Sequence, residues 1–568
     1  MPFLAKEHYP IPTKDLLSWT FDSAEYDGDE PIYIEALKPA NHITANQARK
    51  IIRQLVAGFR ALGLQPGDTV SLHSFNDIYY PVVFLGIIAA GGVYSGTNPA
   101  YTPYELSHAL KISKARFVLV QPDLIDGVLK ASRQVGLPAK NVVVFNPHGE
   151  EAPQGYLRWE NLLSYGEQDW VRFDDLEAAR NSTAAMLFTS GTTGLPKAAM
   201  LSHYNLIAQH TLVYEAPRRP YKAVRVLALP MFHAAMAPVA HTTPLRMGER
   251  GYVLRRFDLE HWMWTIQTYK ITDVGVVPPI AIMAINSPLK EKYSLKSAKL
   301  GQCGAAPLDK HPQARFQDML GNKPMTQVWG MSETSCVSSS TMCWSIESPN
   351  SAEYYETDCH VFHQICTRFR YGEWDDTGSV GFPIPNIDTK LVDDKGADIT
   401  GFDVRGELCV RGPTVVRGYF ENEEANARDW DEAGFFHTGD IAYVDGATKK
   451  FYIVDPQELI KVRGFQVAPP ELEGVLLSHA DIVDAAVFGV SDPVREGGEL
   501  PRAHLVRRPG VSGPTDRELH AYMRERLASY KMLEGGIKWV EAIPKNASGK
   551  ILKRLLRDEW KKETAAKL

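Results

Sequence analysis

The amino-acid sequence predicts an α/β protein in two parts. A large N-terminal region of layered α/β subdomains ends in a small β-barrel-like part, and a small α+β domain follows. Three observations predict this. Short β-rich runs alternate with longer amphipathic runs through the first half, the pattern of parallel strands with helical crossovers. From Thr377 the chain turns to short β-like runs punctuated by glycine, which reads as a small barrel or meander. After Asp455 the texture changes again, to a brief α+β series.

In chain order, residues 69–73, 116–121, 141–145 and 225–229 read as strands, and 46–62, 77–90, 103–112 and 123–134 as helices. The most apolar stretch, 79–94, is broken by Pro81, Gly86, Gly91 and Gly92 and is short for a membrane span. It reads as a buried helix ending at the glycines, followed by a strand. Asn98-Pro-Ala-Tyr-Thr-Pro103 is a turn leading into a helix start. Residues 184–188 read as a buried strand, and a helix is expected from His203 onward. In the glycine-rich region 378–381, 387–392, 406–411 and 415–419 are β-like. In the last region 471–479 and 516–527 read as helices, and 482–490 and 502–506 as strands. The expected division is therefore 1–454, a hinge at 455–458, and 459–568. No internal repeat or long Pro/Ser linker is visible.

Composition narrows the function classes. The chain has 568 residues, enough for several cores. Charged residues at 23% and hydrophobic ones at 44% are ordinary globular usage, which argues against long disorder. A formal net charge of -6 gives no pull toward nucleic acid or an anionic membrane. Six cysteines in a chain this long do not make a secreted disulfide framework, so a reducing compartment is expected. The first residues lack the basic start and apolar core of a signal peptide. Ala566-Lys567-Leu568 is similar to the peroxisomal address S-K-L, with alanine for serine. The expected location is the peroxisome through its import receptor, otherwise the cytoplasm, with no stable membrane insertion.

The chemistry centres on Thr189-Ser-Gly-Thr-Thr-Gly-Leu-Pro-Lys197. Glycines let the backbone approach phosphate oxygens, N–H groups and hydroxyls donate to them, and the lysine supplies charge. The spacing is not that of a Walker P-loop, because Gly191 and Gly194 are too close and Lys197 stands past Gly194. The stretch resembles the phosphate-loop signature of the adenylate-forming, AMP-binding enzymes: acyl-CoA synthetases, 4-coumarate–CoA ligases, luciferases and peptide-synthetase adenylation domains. The resemblance implies that Thr189, Ser190, Gly191, Thr192, Thr193, Gly194 and Lys197 hold ATP phosphates.

Further motifs extend it over roughly residues 40–560. Gln327-Val-Trp-Gly-Met-Ser-Glu333 is similar to the family's aromatic-Gly-Met-Thr-Glu motif, with Ser332 for threonine. Gln327 and Ser332 are implied to meet the nucleotide, and Glu333 to hold Mg²⁺, a hard cation wanting oxygen ligands. His437-Thr-Gly-Asp440 resembles the ribose motif, in which Asp440 accepts from both hydroxyls. The run from Leu459 to Glu473 resembles the start of a mobile C-terminal module. It implies Lys461 and Gln466 on the adenylate, and Arg463 and Gly464 at the pantetheine entrance. Arg256 matches a position that meets CoA phosphate. Pro544-Lys-Asn-Ala-Ser-Gly-Lys550 resembles the catalytic loop, and Lys550 is implied to bridge the substrate carboxylate and the α-phosphate, two anions that need neutralising as they meet.

Two departures stand out. The family's hinge reads Asp-Arg-x-Lys-Glu; here it is Asp455-Pro-Gln-Glu458, one residue short and lacking the arginine that meets ribose. Residues 343–370 form an atypical insertion with Cys359, His360, His363 and Cys366, whose spacing matches no familiar zinc finger.

The acid is expected to be apolar, aryl or medium-chain. Where peptide-synthetase domains carry an aspartate for the ammonium, this chain has His233, counted with Lys550 and Glu333 as catalytic. Strings 276–283, 301–306 and 336–338 are apolar or small, as an apolar pocket requires. The expected activity is an acid–thiol ligase using ATP, Mg²⁺ and CoA. The alternatives are an adenylating enzyme that loads a separate carrier protein, or a degraded non-catalytic relative.

Overall fold

The computed structural model describes residues 4–565 except 6, 190–195, 216–219, 305–307, 309, 336–338, 341–374, 376, 394, 456–458, 464, 496–497, 545–550 and 552. The expected α/β layering is present as two large, mostly parallel sheets.

The first has seven strands in the order Leu157–Arg158, Val142–Val144, Ala115–Val120, Thr69–His73, Val93–Thr97, Thr183–Thr189, Lys197–Ser202, and only the last pair is antiparallel. Thr69–His73 is buried at every position, as a central parallel strand covered on both faces must be. Helix Ala45–Ala61 starts on a capping box between Thr44 and Gln47 and buries Ile52, Leu55, Val56 and Phe59. The apolar run becomes helix Tyr80–Ala89, buried on all sides. It begins three residues later than expected, with Pro81 in the first turn, where a missing N–H costs nothing. Gly86 is required there: a Cβ on it would stand 2.4 Å from Leu55 Cδ1, so the two helices could not approach as they do.

The second sheet has eight strands in the order Ser339–Ser340, Met325–Trp329, Leu300–Cys303, Asp273–Val276, Val224–Leu227, Arg250–Val253, Pro31–Glu35, His42–Thr44. Its interior pairs are parallel and both edges antiparallel. Asn76 joins the sheets: its amide donates to Leu229 O at 2.9 Å and Leu254 O at 3.2 Å and accepts from Met231 N at 2.8 Å.

The glycine-punctuated region is an open five-stranded antiparallel sheet: Asp398–Ile399, Asp388–Val392, Gly406–Arg411, Phe436–Val444, Phe451–Asp455. Of the two forms expected, barrel or meander, the strands do not close. Residues 378–381 and 415–419 are not regular strands. Gly378 (φ 84°), Gly381 (φ 79°) and Gly418 (φ 149°) leave the extended region, so each segment makes a single bridge, Gly381 to Phe451 and Tyr419 to Ala199.

The last region holds the hairpin Ile460–Val462/Phe465–Val467, helices Pro469–Leu477, Asp516–Arg524 and Lys553–Ala565, and the sheet Ile482–Ser491, Glu499–Arg507, Ile537–Trp539. The sheet has two apolar faces. Ala485, Val487, Ala503 and Leu505 pack toward the hairpin residues Ile460, Val462 and Val467. Ala486, Phe488 and Val490 pack on the other face with Ile543, Ile551 and Leu556. Among the described residues no helix is long and apolar enough to cross a membrane. The hinge residues 456–458, the insertion 343–370 and the tail Ala566-Lys567-Leu568 lie outside the described residues.

Candidate active site

The candidate site lies at the carboxyl ends of the parallel strands, where loops of an open α/β sheet converge. Strand Thr183–Thr189 pairs antiparallel with Lys197–Ser202, and the last pair is Thr189 with Lys197. The phosphate-loop stretch therefore closes a β-hairpin, a pairing the sequence reading did not foresee. Ser190, Gly191, Thr192, Thr193 and Gly194 lie outside the described residues.

Around this hairpin end four polar groups, three buried and the fourth, Asp429, half-buried, form one string. Lys197 Nζ donates to Asp429 Oδ2 at 2.9 Å and lies 4.1 Å from the centre of the Tyr419 ring. The Tyr419 hydroxyl donates to Glu333 Oε1 at 2.8 Å. Glu333 sits on the short 3₁₀ turn Ser332–Thr334 that follows strand Met325–Trp329. Burial raises the Glu333 carboxyl above its ordinary pKa, and the Tyr419 bond and the Lys197 charge only partly oppose this. The Thr189 hydroxyl is buried beside it and helps to hold the Glu333 carboxyl against that rise. A buried carboxylate short of counter-charge with a hydroxyl beside it fits a phosphate carrying a hard cation. Ser332, half-buried next to Glu333, adds a hydroxyl to the same edge.

Asp440 is buried on strand Phe436–Val444 and accepts from the Trp329 indole N–H at 2.6 Å. Its motif is anchored by its neighbours. The Thr438 hydroxyl donates to Leu408 O at 2.6 Å, and Gly439, at φ 75°, donates its N–H to Glu407 Oε1 at 2.9 Å. Gln327 is engaged within the protein: its amide joins both the N–H and the C=O of Leu308, at 2.9 and 2.8 Å, and Gln313 at 2.9 Å. It anchors Leu308 rather than presenting a bare amide to solvent.

His233 follows strand Val224–Leu227; its Nδ1 accepts from Ala235 N at 3.2 Å, and desolvation by the surrounding protein lowers its pKa below the usual histidine value. The Asp273–Val276 and Leu300–Cys303 strands place Gly275 beside Gln302. Gly275 is exposed, and a Cβ on it would meet nothing within 4 Å, so the space over this part of the sheet is open. Arg256 is exposed, and its guanidinium lies 3.7 Å from the centre of the Phe75 ring. Burial pushes the Cys303 thiol up to about 12, and the Lys461 charge acts against that rise. Lys461 pairs with Gln466 across the hairpin, and Arg463 at its turn takes φ 51° and donates to Glu534 Oε2 at 2.5 Å. Gly464, Lys550 and the 336–338 string lie outside the described residues.

Three participants were missed in the sequence. Trp329 lay inside a quoted motif, as an N–H donor two residues from Gln327. Tyr419 and Asp429 carried no local signal, since each meets its partner only through the tertiary fold. Glu407, Cys409 and His437 bring ligand atoms within 4.8 Å of one another. Both Glu407 oxygens already accept, from His437 Nδ1 and Gly439 N, and burial holds the Cys409 thiol protonated, so the trio serves to fasten the Asp440 turn. The Cys359–His360–His363–Cys366 group lies outside the described residues.

Comparison with known proteins gives a consistent picture. The family "AMP-binding enzyme" matches residues 21–420, and "AMP-binding enzyme C-terminal domain" matches residues 471–550. The chain is 46% identical to the phenylacetyl-CoA ligase epaB of Aspergillus niger over 98% of this chain and 99% of that one. It is also 46% identical to the acyl-CoA ligase azaF of Aspergillus niger, over 98% of this chain and 100% of that one. Among solved structures, o-succinylbenzoate CoA synthetase of Bacillus subtilis superposes with a TM-score of 0.75 at 21% identity, covering 96% of this chain and 98% of that one.

Proposed function

The chain belongs to the AMP-binding enzyme family and is an AMP-forming acyl-CoA ligase, and from that premise we propose that its acid is an apolar aryl acid of the arylacetic type. One observation carries this reading: Gly275 is exposed beside Gln302 on the neighbouring strand and leaves open space above its backbone. A flat ring can lie against such an open stretch of backbone. The similarity to a phenylacetyl-CoA ligase supports the same class.

In the first half-reaction a carboxylate oxygen attacks the α-phosphorus of ATP, and the bond to pyrophosphate breaks. The hairpin end at Thr189 and Lys197 steadies the phosphates, Asp440 accepts from the ribose, and Lys550 neutralises the two approaching anions. Glu333 supplies oxygen for Mg²⁺, which adds charge neutralisation when bound. In the second half-reaction the CoA sulfur attacks the acyl carbonyl and the bond to AMP breaks. The Lys461–Gln466 hairpin faces the adenylate, Arg463 and Gly464 line the pantetheine entrance, and Arg256, its guanidinium over the Phe75 ring, meets a CoA phosphate. For location, the reading is peroxisomal import through Ala566-Lys567-Leu568; a fluorescent fusion that stays in the cytosol refutes it.

The test is pyrophosphate release across arylacetic, straight medium-chain and amino acids, with and without CoA. Arylacetic acids are expected to turn over, with thioester formed only when CoA is present, and Gly275→Leu should block them. Preference for medium-chain acids overturns the substrate reading. AMP-ester formation without CoA thioester would instead favour loading of a carrier protein.

A further inference from the structure

The small C-terminal module is seated on the large region through one buried lysine. Lys531, with 5% of its side chain exposed, donates to Glu105 Oε1 at 2.6 Å and to Glu471 Oε1 at 2.7 Å. Glu471 belongs to the module, on helix Pro469–Leu477; Glu105 belongs to the large region, on helix Pro103–Ile112. Glu105 is itself preset. Its other oxygen caps its own helix, accepting from Thr102 N at 2.9 Å. Two lesser bonds lie along the same seam, Thr102 Oγ1 to Arg526 O at 2.7 Å and Asn98 Nδ2 to Tyr530 Oη at 3.2 Å.

Both ends of this seam lead to the chemistry. Tyr530, adjacent to Lys531, stacks on Phe465 of the Lys461 hairpin with ring centres 4.1 Å apart. One turn along the Glu105 helix, His108 Nε2 lies 3.1 Å from Pro196 O, at the end of the phosphate-loop hairpin. The seating that the lysine fixes presents the Lys461 hairpin to the large region. Ile551, the covalent neighbour of Lys550, packs on the opposite face of the module's sheet from that hairpin. No single seating can turn both faces toward the phosphate loop.

We propose that Glu105 is a positioning residue: through Lys531 it holds the small module in the seating that serves thioester formation, and this contact breaks for adenylation. The inference rests on the half-reactions assigned above. It adds that the helix between Thr102 and His108 couples the phosphate-loop hairpin to the module's position, so the two steps alternate through a breakable buried ion pair.

The test uses the full-length enzyme and the variants Glu105→Gln and Lys531→Met. Each is assayed for pyrophosphate release from acid and ATP, and separately for thioester formation from pre-made acyl-adenylate and CoA. Thioester formation is expected to fall at least about tenfold, with adenylation kept or raised. In parallel, spin labels at the exposed positions Leu37 and Leu555 report the module's position without substrate. The wild type should give one narrow distance and Glu105→Gln a broadened one. Equal loss of both half-reactions, loss of adenylation alone, or no change in either overturns the proposal. A broadened distance with no thioester activity even in the wild type would leave the seating contact standing and reject the reaction assignment on which its role rests, which also overturns the proposal as stated.

Discussion

Removing the indole N–H of Trp329 should weaken ATP binding far more than it disturbs the fold around it. Trp329 donates to Asp440 Oδ2 at 2.6 Å, and Asp440 is 7% exposed. A hydrogen bond to a buried charged group is worth roughly 1.5–3 kcal/mol, about 10- to 150-fold in an equilibrium constant. Trp329→Phe keeps an aromatic ring at the position but leaves the carboxylate one donor short and free to turn. If Asp440 holds the ribose, it does so equally in ground and transition states, so KM for ATP should rise with kcat little changed. The assay is a double-mutant cycle of Trp329→Phe, Asp440→Asn and the pair, read in KM for ATP and in denaturant midpoint. The coupling expected in KM is roughly 1.5–3 kcal/mol. Additivity within about 0.5 kcal/mol would refute the reasoning, because it would mean that Trp329 does not orient Asp440 for nucleotide.

Other expectations follow from the same structure. Lys550→Ala should lower pyrophosphate release by on the order of 10²–10³ while sparing thioester formation from pre-made adenylate, and Arg463→Ala should show the reverse bias; equal losses in both steps would reject separate roles. Replacing residues 455–458 with Asp-Arg-x-Lys-Glu should lower KM for ATP by about tenfold if the arginine's bond to ribose is restored, and no change would mean that another residue already makes it. Arg225 is buried between Glu249 and Asp273, so Arg225→Met should destabilise the protein by roughly 3–5 kcal/mol in chemical denaturation, and an unchanged midpoint would contradict the burial. Burial lowers His73, His203 and His241 to about 4. Between about 4 and the ordinary 6.5 the unfolded chain therefore binds more protons than the folded one. Stability should be complete above about pH 6.5 and fall as pH drops through that window, less steeply in His203→Asn, since His203 Nδ1 must stay unprotonated to accept from Leu16 N at 3.0 Å; a flat wild-type profile would refute this.

The sequence by itself determined what is local. Strand 69–73 and the apolar helix ending before Gly91 were legible because burial on both faces removes alternation, and because glycine permits the φ of 88° found at Gly91. The phosphate-loop, Gly-Met-Ser-Glu and Thr-Gly-Asp stretches were legible because each places its chemistry within a few consecutive residues. The strands misread at 378–381 and 415–419 failed at glycines whose positive φ the pattern alone does not reveal. Only the tertiary structure decided which groups face each other: Lys197 with Asp429, Tyr419 with Glu333, Trp329 with Asp440, and Lys531 between Glu105 and Glu471. The reason is physical. A charged or hydroxyl side chain looks the same in sequence whether solvated or buried. Its partner is set by strand order and register, which bring together residues separated by 86, 111, 232 and 426 positions. Burial then makes each of those contacts costly to leave unmade, and so specific.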